Sequence, residues 1–246
     1  MDKLKFLIAL SLLLLSLASP PTQAQQAQSI GRCSTDTRIL VGGFAVTRCY
    51  DGKSVGGIGT TLDDAVANAA AMSGLLSQGV RCVYSSFEAG VGAFIVTFGC
   101  SKDGINLGRS STIGGLGTTL TDAGNNVLGF AMLYGASNGY RCSVDTPQML
   151  PGGYIGKFGC GYPEDGSNRA STINGIGSTA TDAGANNLNF AELAATGTKC
   201  GTGSANISLQ GLAYKVIYSC SGHNLVAYGS SLTAAGHDAL IQAQGL

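Results

Sequence analysis

Hydrophobic and polar residues alternate along three segments of the chain, each of which ends at a cysteine. The residues on the shared side of these segments are Phe94, Val96, Phe98 and Cys100, then Tyr154, Gly156, Phe158 and Cys160, and then Tyr214, Val216, Tyr218 and Cys220. Because residues two apart in a strand point to the same face, this alternation predicts half-buried antiparallel strands packed on a core. An earlier segment ends at Cys49 but has Thr47 where the others have an aromatic residue.

A helical period follows these strands. Apolar residues recur at helical spacing in the sets Leu62, Ala65, Ala69, Met72 and Leu76, and Leu120, Ala123, Val127, Phe130 and Ala131. A threonine precedes each of three predicted helices with an aspartate three residues on, in the pairs Thr61 and Asp64, Thr119 and Asp122, and Thr179 and Asp182. A hydroxyl at the N-cap followed by a carboxylate at this spacing predicts the start of a helix.

A glycine-rich segment precedes each predicted helix and recurs four times. The copies span residues 55–65, 111–123 and 171–183, and a degenerate copy begins at Tyr228. Glycines at a helix N-terminus could let a phosphate approach the backbone N–H groups. The segment lacks the lysine of a P-loop and the acidic residue expected about 20 residues after a dinucleotide fingerprint. We therefore predict a structural turn that joins a strand to a helix.

The eight cysteines fall into four consecutive pairs. These pairs are Cys33 and Cys49, Cys82 and Cys100, Cys142 and Cys160, and Cys200 and Cys220. The midpoints of the pairs fall at positions 41, 91, 151 and 210, each beside glycine, so the spacing predicts four hairpins that are each closed by a disulfide. A second scheme remains open, in which Cys49 pairs with Cys82, Cys100 with Cys142, and Cys33 with Cys220.

These patterns together predict an α+β fold of four tandem ββα-type repeats, in which antiparallel sheets are covered by helices and stapled by disulfides. The repeats are expected at residues 32–80, 81–140, 141–198 and 199–246, within a single domain that follows an N-terminal segment at 25–31. A basic start and an apolar core in residues 1–24 predict a cleaved signal peptide. No later segment has the roughly 20 apolar residues of a membrane-spanning helix, so no transmembrane anchoring is expected.

Composition narrows the classes of partner. Charged residues make up 11% of the chain and the formal net charge is zero, so the basic field that nucleic-acid binding needs is absent and nucleic acid is not an expected partner. An even number of cysteines predicts disulfides and therefore a secreted or periplasmic location. The low charge suggests surfaces that tolerate contact with a neighbour, either another copy of this chain or a component of the extracellular space or envelope.

Few residues suggest a catalytic or ligand-binding site. The only two histidines, His223 and His237, lie in the last repeat, where Asp238 could join them in a hydrolytic site, although no catalytic motif surrounds them. Arg32, Arg81, Arg141 and Lys199 stand at equivalent positions and could bind an anionic polysaccharide or lipid headgroup. Alternatively they offset helix dipoles. Asn68, Asn126 and Asn186 are expected on a solvated helix face, and no cofactor or metal site is predicted.

The sequence therefore favours a secreted, non-enzymatic repeat protein that binds a partner or assembles with itself. The alternatives are a secreted hydrolase with its site in the fourth repeat, and a secreted inhibitor or effector. None of the three is selected by a motif.

Overall fold

The computed structural model describes residues 33–104, 111–162, 171–203 and 206–246, of which Ser34–Leu246 form one compact unit. The predicted signal peptide and Arg32 lie outside the described residues. The first repeat contains β1 (Asp36–Leu40), β2 (Gly43–Tyr50), β3 (Lys53–Gly59) and α1 (Leu62–Ser73), followed by a 3-10 helix (Gly74–Gln78). The second contains β4 (Val80–Gly90), β5 (Ala93–Lys102), β6 (Ser111–Gly117) and α2 (Leu120–Ala136).

The third and fourth repeats have the same order, with the first strand divided in two. The third contains β7 (Arg141–Val144), β8 (Gln148–Leu150), β9 (Gly153–Gly161), β10 (Ser171–Gly177) and α3 (Ala180–Ala195). The fourth contains β11 (Cys200–Gly201), β12 (Ile207–Gln210), β13 (Ala213–Cys220), β14 (His223–Gly229) and α4 (Leu232–Gln244). Each repeat forms its own antiparallel sheet, so the predicted α+β repeat fold is confirmed.

The hairpins turn where the cysteine midpoints predict. Cys82 faces Cys100, Cys142 faces Cys160 and Cys200 faces Cys220 across their sheets, and each facing pair is disulfide-bonded. Cys33 and Cys49 are each part of a disulfide as well. The hairpin scheme is confirmed for these three pairs, and the alternative bond between Cys100 and Cys142 is wrong.

The glycine-rich segment is a strand, which corrects the predicted turn. Its glycines lie in the third strand of each sheet, for example β3 paired with β2, and only the two residues between that strand and the helix, such as Thr60 and Thr61, form a bend. A Cβ on Gly57 would lie 2.2 Å from the carbonyl oxygen of Ala65 in α1, and a Cβ on Gly56, on the opposite face, would lie 2.3 Å from the backbone nitrogen of Tyr84 in β4. The strand is therefore held between two other backbones, and only glycine permits both approaches.

The first three helices begin at their predicted caps, and the fourth begins after Ser231. The hydroxyls of Thr61, Thr119, Thr179 and Ser231 each accept a hydrogen bond from the backbone N–H three residues on, at 3.1 Å. In α1 the Asp64 carboxylate also accepts from the Thr61 N–H, which completes a capping box. All four helices therefore begin at the same end of their sheets.

The repeats pack in sequence order into an open row. Phe130 of α2 stacks on Phe158 of β9, with ring centroids 4.9 Å apart, and Phe190 of α3 stacks on Tyr218 of β13 at the same distance. These rings belong to one continuous hydrophobic core that runs from the first repeat to the last. Packing is between consecutive repeats, and the described parts of the first and fourth repeats share no extensive contact.

Candidate functional site

The hairpin turns expose hydrophobic side chains in all four repeats. These residues, which we call the hairpin-tip ridge, are Ile39, Val41, Val91, Met149, Leu209 and Leu212. Leu212 is 96% exposed, Ile39 83% and Val91 78%, so almost none of their apolar surface is covered. Single exposed hydrophobic residues are normal on a protein surface, but here they cluster at the same end of all four hairpins.

Contacts between neighbouring hairpins hold the exposed residues in a row. The hydroxyl of Tyr154 donates a hydrogen bond to the Val91 carbonyl at 3.2 Å, which joins the third hairpin to the tip of the second. Phe94 and Tyr214 occupy the equivalent position and lie against Gly42 and Gly152 at the preceding tips. Each hairpin tip therefore lies beside the next hairpin along the chain.

A groove opens beside this row, between the second and third hairpins. It encloses about 420 Å³ and is lined mainly by apolar groups, among them Val91, Ile95, Met149 and Tyr154, with Glu88 as its charged member. Complete burial of one Val, Leu, Ile or Met side chain contributes about 1.5–3 kcal/mol. The ridge therefore holds enough uncovered apolar surface to drive association with another apolar surface.

The predicted hydrolytic residues are not brought together. His223 lies at the start of β14, whereas the Asp238 carboxylate accepts a hydrogen bond from the Tyr228 N–H near the end of that strand, at 2.9 Å. Five strand residues separate these points, which is about 16 Å. His237 is exposed on α4, and Asp238 also accepts from the Gln242 side chain at 3.1 Å. Asp238 acts here as a link between α4 and β14.

The predicted basic residues lie at the disulfide ends of the hairpins, about 30 Å from the tips along the strands. Arg81 and Lys199 are exposed and Arg141 is half-buried, and none of their side chains bonds to a described residue. At the C-terminus of α2 it is Lys102 that donates to the Gly135 carbonyl, at 2.6 Å. The three described basic residues therefore remain free to meet an anion but do not border the ridge.

The chain matches no known family model. No curated protein is significantly similar to it in sequence either. Within the described residues no helix is long and apolar enough to span a membrane, and no three acidic, histidine or cysteine side chains are grouped to hold a metal ion.

The helix asparagines are buried, which corrects the predicted solvated face. Asn68, Asn126 and Asn186 are at most 8% exposed, and they lie against the glycine of the next helix at Gly124, Gly184 and Gly236. Asn68 accepts a hydrogen bond from the Ile58 N–H at 3.2 Å, and Asn126 donates to the Leu116 carbonyl. The Asn68 and Asn126 amides thus bond to the backbone of the glycine-rich strand of their own repeat, whereas the side-chain oxygen of Asn186 is buried without a hydrogen-bond partner among the described residues.

The sequence contained a signal for the ridge that the pattern analysis did not use. Two of the four predicted turn centres, positions 41 and 91, are valines rather than the polar or small residues that turns favour. A valine that lies beside a turn glycine has no core to enter. Its exposure follows from the hairpin prediction alone.

Proposed function

We propose that this is a secreted, non-enzymatic binding protein whose binding face is the hairpin-tip ridge. The observation that carries the proposal is the repetition of exposed aliphatic residues at the tips of all four hairpins. The disulfide bonds support a location in an oxidising compartment outside the cytosol. A rigid, stapled row of hairpins would present such residues to a partner with little loss of conformational freedom on binding.

Two observations favour binding of a different partner over end-to-end self-assembly. The positions that join one repeat to the next are changed in the first and last repeats, as in Val66, which replaces the glycine of the other three helices. Gln242 likewise replaces the apolar residue that packs on the following repeat. The ends of the row are thus closed, whereas the ridge along its side is not.

The test compares binding of the intact protein and of ridge variants to isolated cell-envelope fractions and to an array of glycans. We expect the intact protein to bind one of these, and replacement of Val91 and Leu212 by serine to reduce the bound fraction at least tenfold. The matched control replaces Met132 and Ile241, which are exposed on helices. Equal binding by the ridge and control variants, or no binding by the intact protein, would contradict the proposal.

A further inference from the structure

We infer that the partner of the hairpin-tip ridge is the interfacial layer of a phospholipid bilayer. This inference rests on the proposed function and names the class of surface that the ridge meets. Three properties of the ridge support it: its shape, its side-chain chemistry and its charge.

The shape of the ridge suits a deformable partner. The exposed residues project from the turns and the adjoining strand ends of four separate hairpins, and Val91 and Met149 of neighbouring hairpins border one apolar groove. A stable protein–protein interface buries about 800 Å² on each partner, over some 20–30 residues. A line of six exposed side chains falls well short of that number, and a flat protein surface would touch only their ends. Acyl chains and headgroups can instead close around each tip.

The side chains at the tips are those that partition into the acyl region. All six ridge residues are aliphatic or methionine, whereas protein-binding hot spots are enriched in Trp, Tyr and Arg. Tyr154 and Tyr214 lie one step behind the tips, where they contact the preceding turn through their hydroxyl ends. Tyrosine is enriched at the depth of the lipid headgroups. The aliphatic residues at the tips would thus lie at the depth of the acyl chains, and the tyrosines next to them at the depth of the headgroups.

The charge of the ridge points to apolar insertion rather than attraction to anionic lipid. Among the described residues, Arg38 is the basic residue next in sequence to a ridge residue, and it is paired with Asp36 at 2.9 Å, while Glu88 is the charged residue of the groove. Arg81, Arg141 and Lys199 lie at the opposite ends of the hairpins. Binding through the tips should therefore depend little on ionic strength or on the charge of the lipid.

The experiment measures partition of the full chain onto vesicles of phosphatidylcholine, which carry no net charge. We expect sedimentation with the vesicles, and a change of less than twofold in the partition coefficient between 0.05 and 0.5 M NaCl, roughly as expected for an apolar contact. The double variant Met149→Ser/Leu212→Ser should partition about tenfold or more weakly. The control Met132→Ser/Ile241→Ser removes side chains of the same kinds, also more than half exposed, and should change the coefficient less than about twofold.

A second readout uses the absence of tryptophan from the sequence. Leu212→Trp places a single fluorophore at the fourth tip, and its emission should shift to shorter wavelength and be quenched by brominated acyl chains when vesicles are added. Ile241→Trp, placed on α4, should show neither change. Because both positions are more than half exposed, both variants are expected to fold.

Four results would overturn the inference. The first is the absence of binding to phosphatidylcholine, and the second is an equal loss in the ridge and control variants. Binding only to anionic vesicles, abolished by salt, would indicate that the basic residues bind the lipid and the ridge does not. A monomer–dimer equilibrium that the ridge variant abolishes without lipid would identify a second copy as the occupant. If ridge-dependent binding to envelope fractions persists while vesicles fail, the proposed function stands and only the lipid assignment falls.

Discussion

Individual glycines have separate mechanical roles in this protein. Gly115 faces α2, where an added Cβ would lie 2.3 Å from the Ala123 carbonyl oxygen and 2.7 Å from the Val127 nitrogen. Both neighbours are backbone atoms of a packed helix and cannot move aside. Gly74, at the end of α1, has open space around it and a right-handed helical backbone with φ of −59°. The same residue type is therefore required at one position and dispensable at the other.

The substitution Gly115→Ala should lower the free energy of unfolding by about 1–3 kcal/mol or more, because the strand and the helix must separate to admit the methyl group. Gly74→Ala should leave it unchanged or raise it by about 0.4–1 kcal/mol, since alanine restricts the unfolded chain. Denaturant titration of both variants with the disulfides intact measures the difference. Equal midpoints would show that the glycine-rich strand does not approach its helix this closely.

At the scale of elements, each helix start is joined to the next by a threonine. Thr121 in α2 accepts a hydrogen bond from the Thr60 N–H at 2.8 Å and donates to the Asp64 carboxylate at 3.1 Å. Thr181 makes the same two contacts with Thr118 and Asp122, at 2.9 and 3.0 Å. The aspartates in the first turn of these helices therefore also connect one repeat to the next.

This link predicts a change in the titration of Asp64. Hydrogen bonds from the Thr61 side chain, then the Thr121 side chain and the Thr61 backbone, hold the pKa of Asp64 below its ordinary value. The charged form is therefore favoured on folding, so its contribution to stability is complete above the unfolded pKa and is lost as the pH falls through the folded pKa. Thr121→Val should raise the folded pKa of Asp64 toward the ordinary value.

Carboxyl ¹³C chemical shifts followed by NMR across the acid range would measure this pKa. Thr181→Val is the matched control, because that hydroxyl contacts Asp122 instead, and it should leave the Asp64 titration unchanged. An unchanged Asp64 pKa in Thr121→Val would exclude the inter-repeat hydrogen bond.

At the scale of the whole molecule, the positions that join one repeat to the next are substituted at both ends of the row. In the first repeat, Asp63 occupies the position of the linking threonine and Val66 that of the helix glycine. In the fourth, Ala234 replaces the aspartate, and Tyr228, half exposed, replaces a buried Ile or Leu of the glycine-rich strand. Thr47 likewise stands where the other three repeats have an aromatic residue. In repeat proteins, the outer faces of the terminal repeats differ from the faces that join inner repeats, because otherwise copies would associate end to end.

Reversing these substitutions should let the last repeat of one copy pack on the first repeat of another. The quadruple variant Asp63→Thr/Val66→Gly/Tyr228→Ile/Ala234→Asp is expected to associate end to end, with a mean mass that rises with concentration. Variants opened at one end only should keep the mass of the unmodified protein, because no complementary end is present. Light scattering after size exclusion measures all three. Association of a variant opened at a single end would show that the caps do not control assembly.

The hairpins, their disulfides and the capped helices were predictable from the sequence because they depend on residues close together in the chain. Cysteine spacing placed the turns, and the threonines placed the helix starts. Only the tertiary structure decided the role of the glycine-rich segment, because Gly56 and Gly57 are required by backbones that come from a neighbouring repeat and from a separate helix. For the same reason it alone showed that the asparagines are buried, that the row is open, and that the tips of all four hairpins form one ridge. Local patterns determined each repeat, and contacts between repeats determined the surface they present.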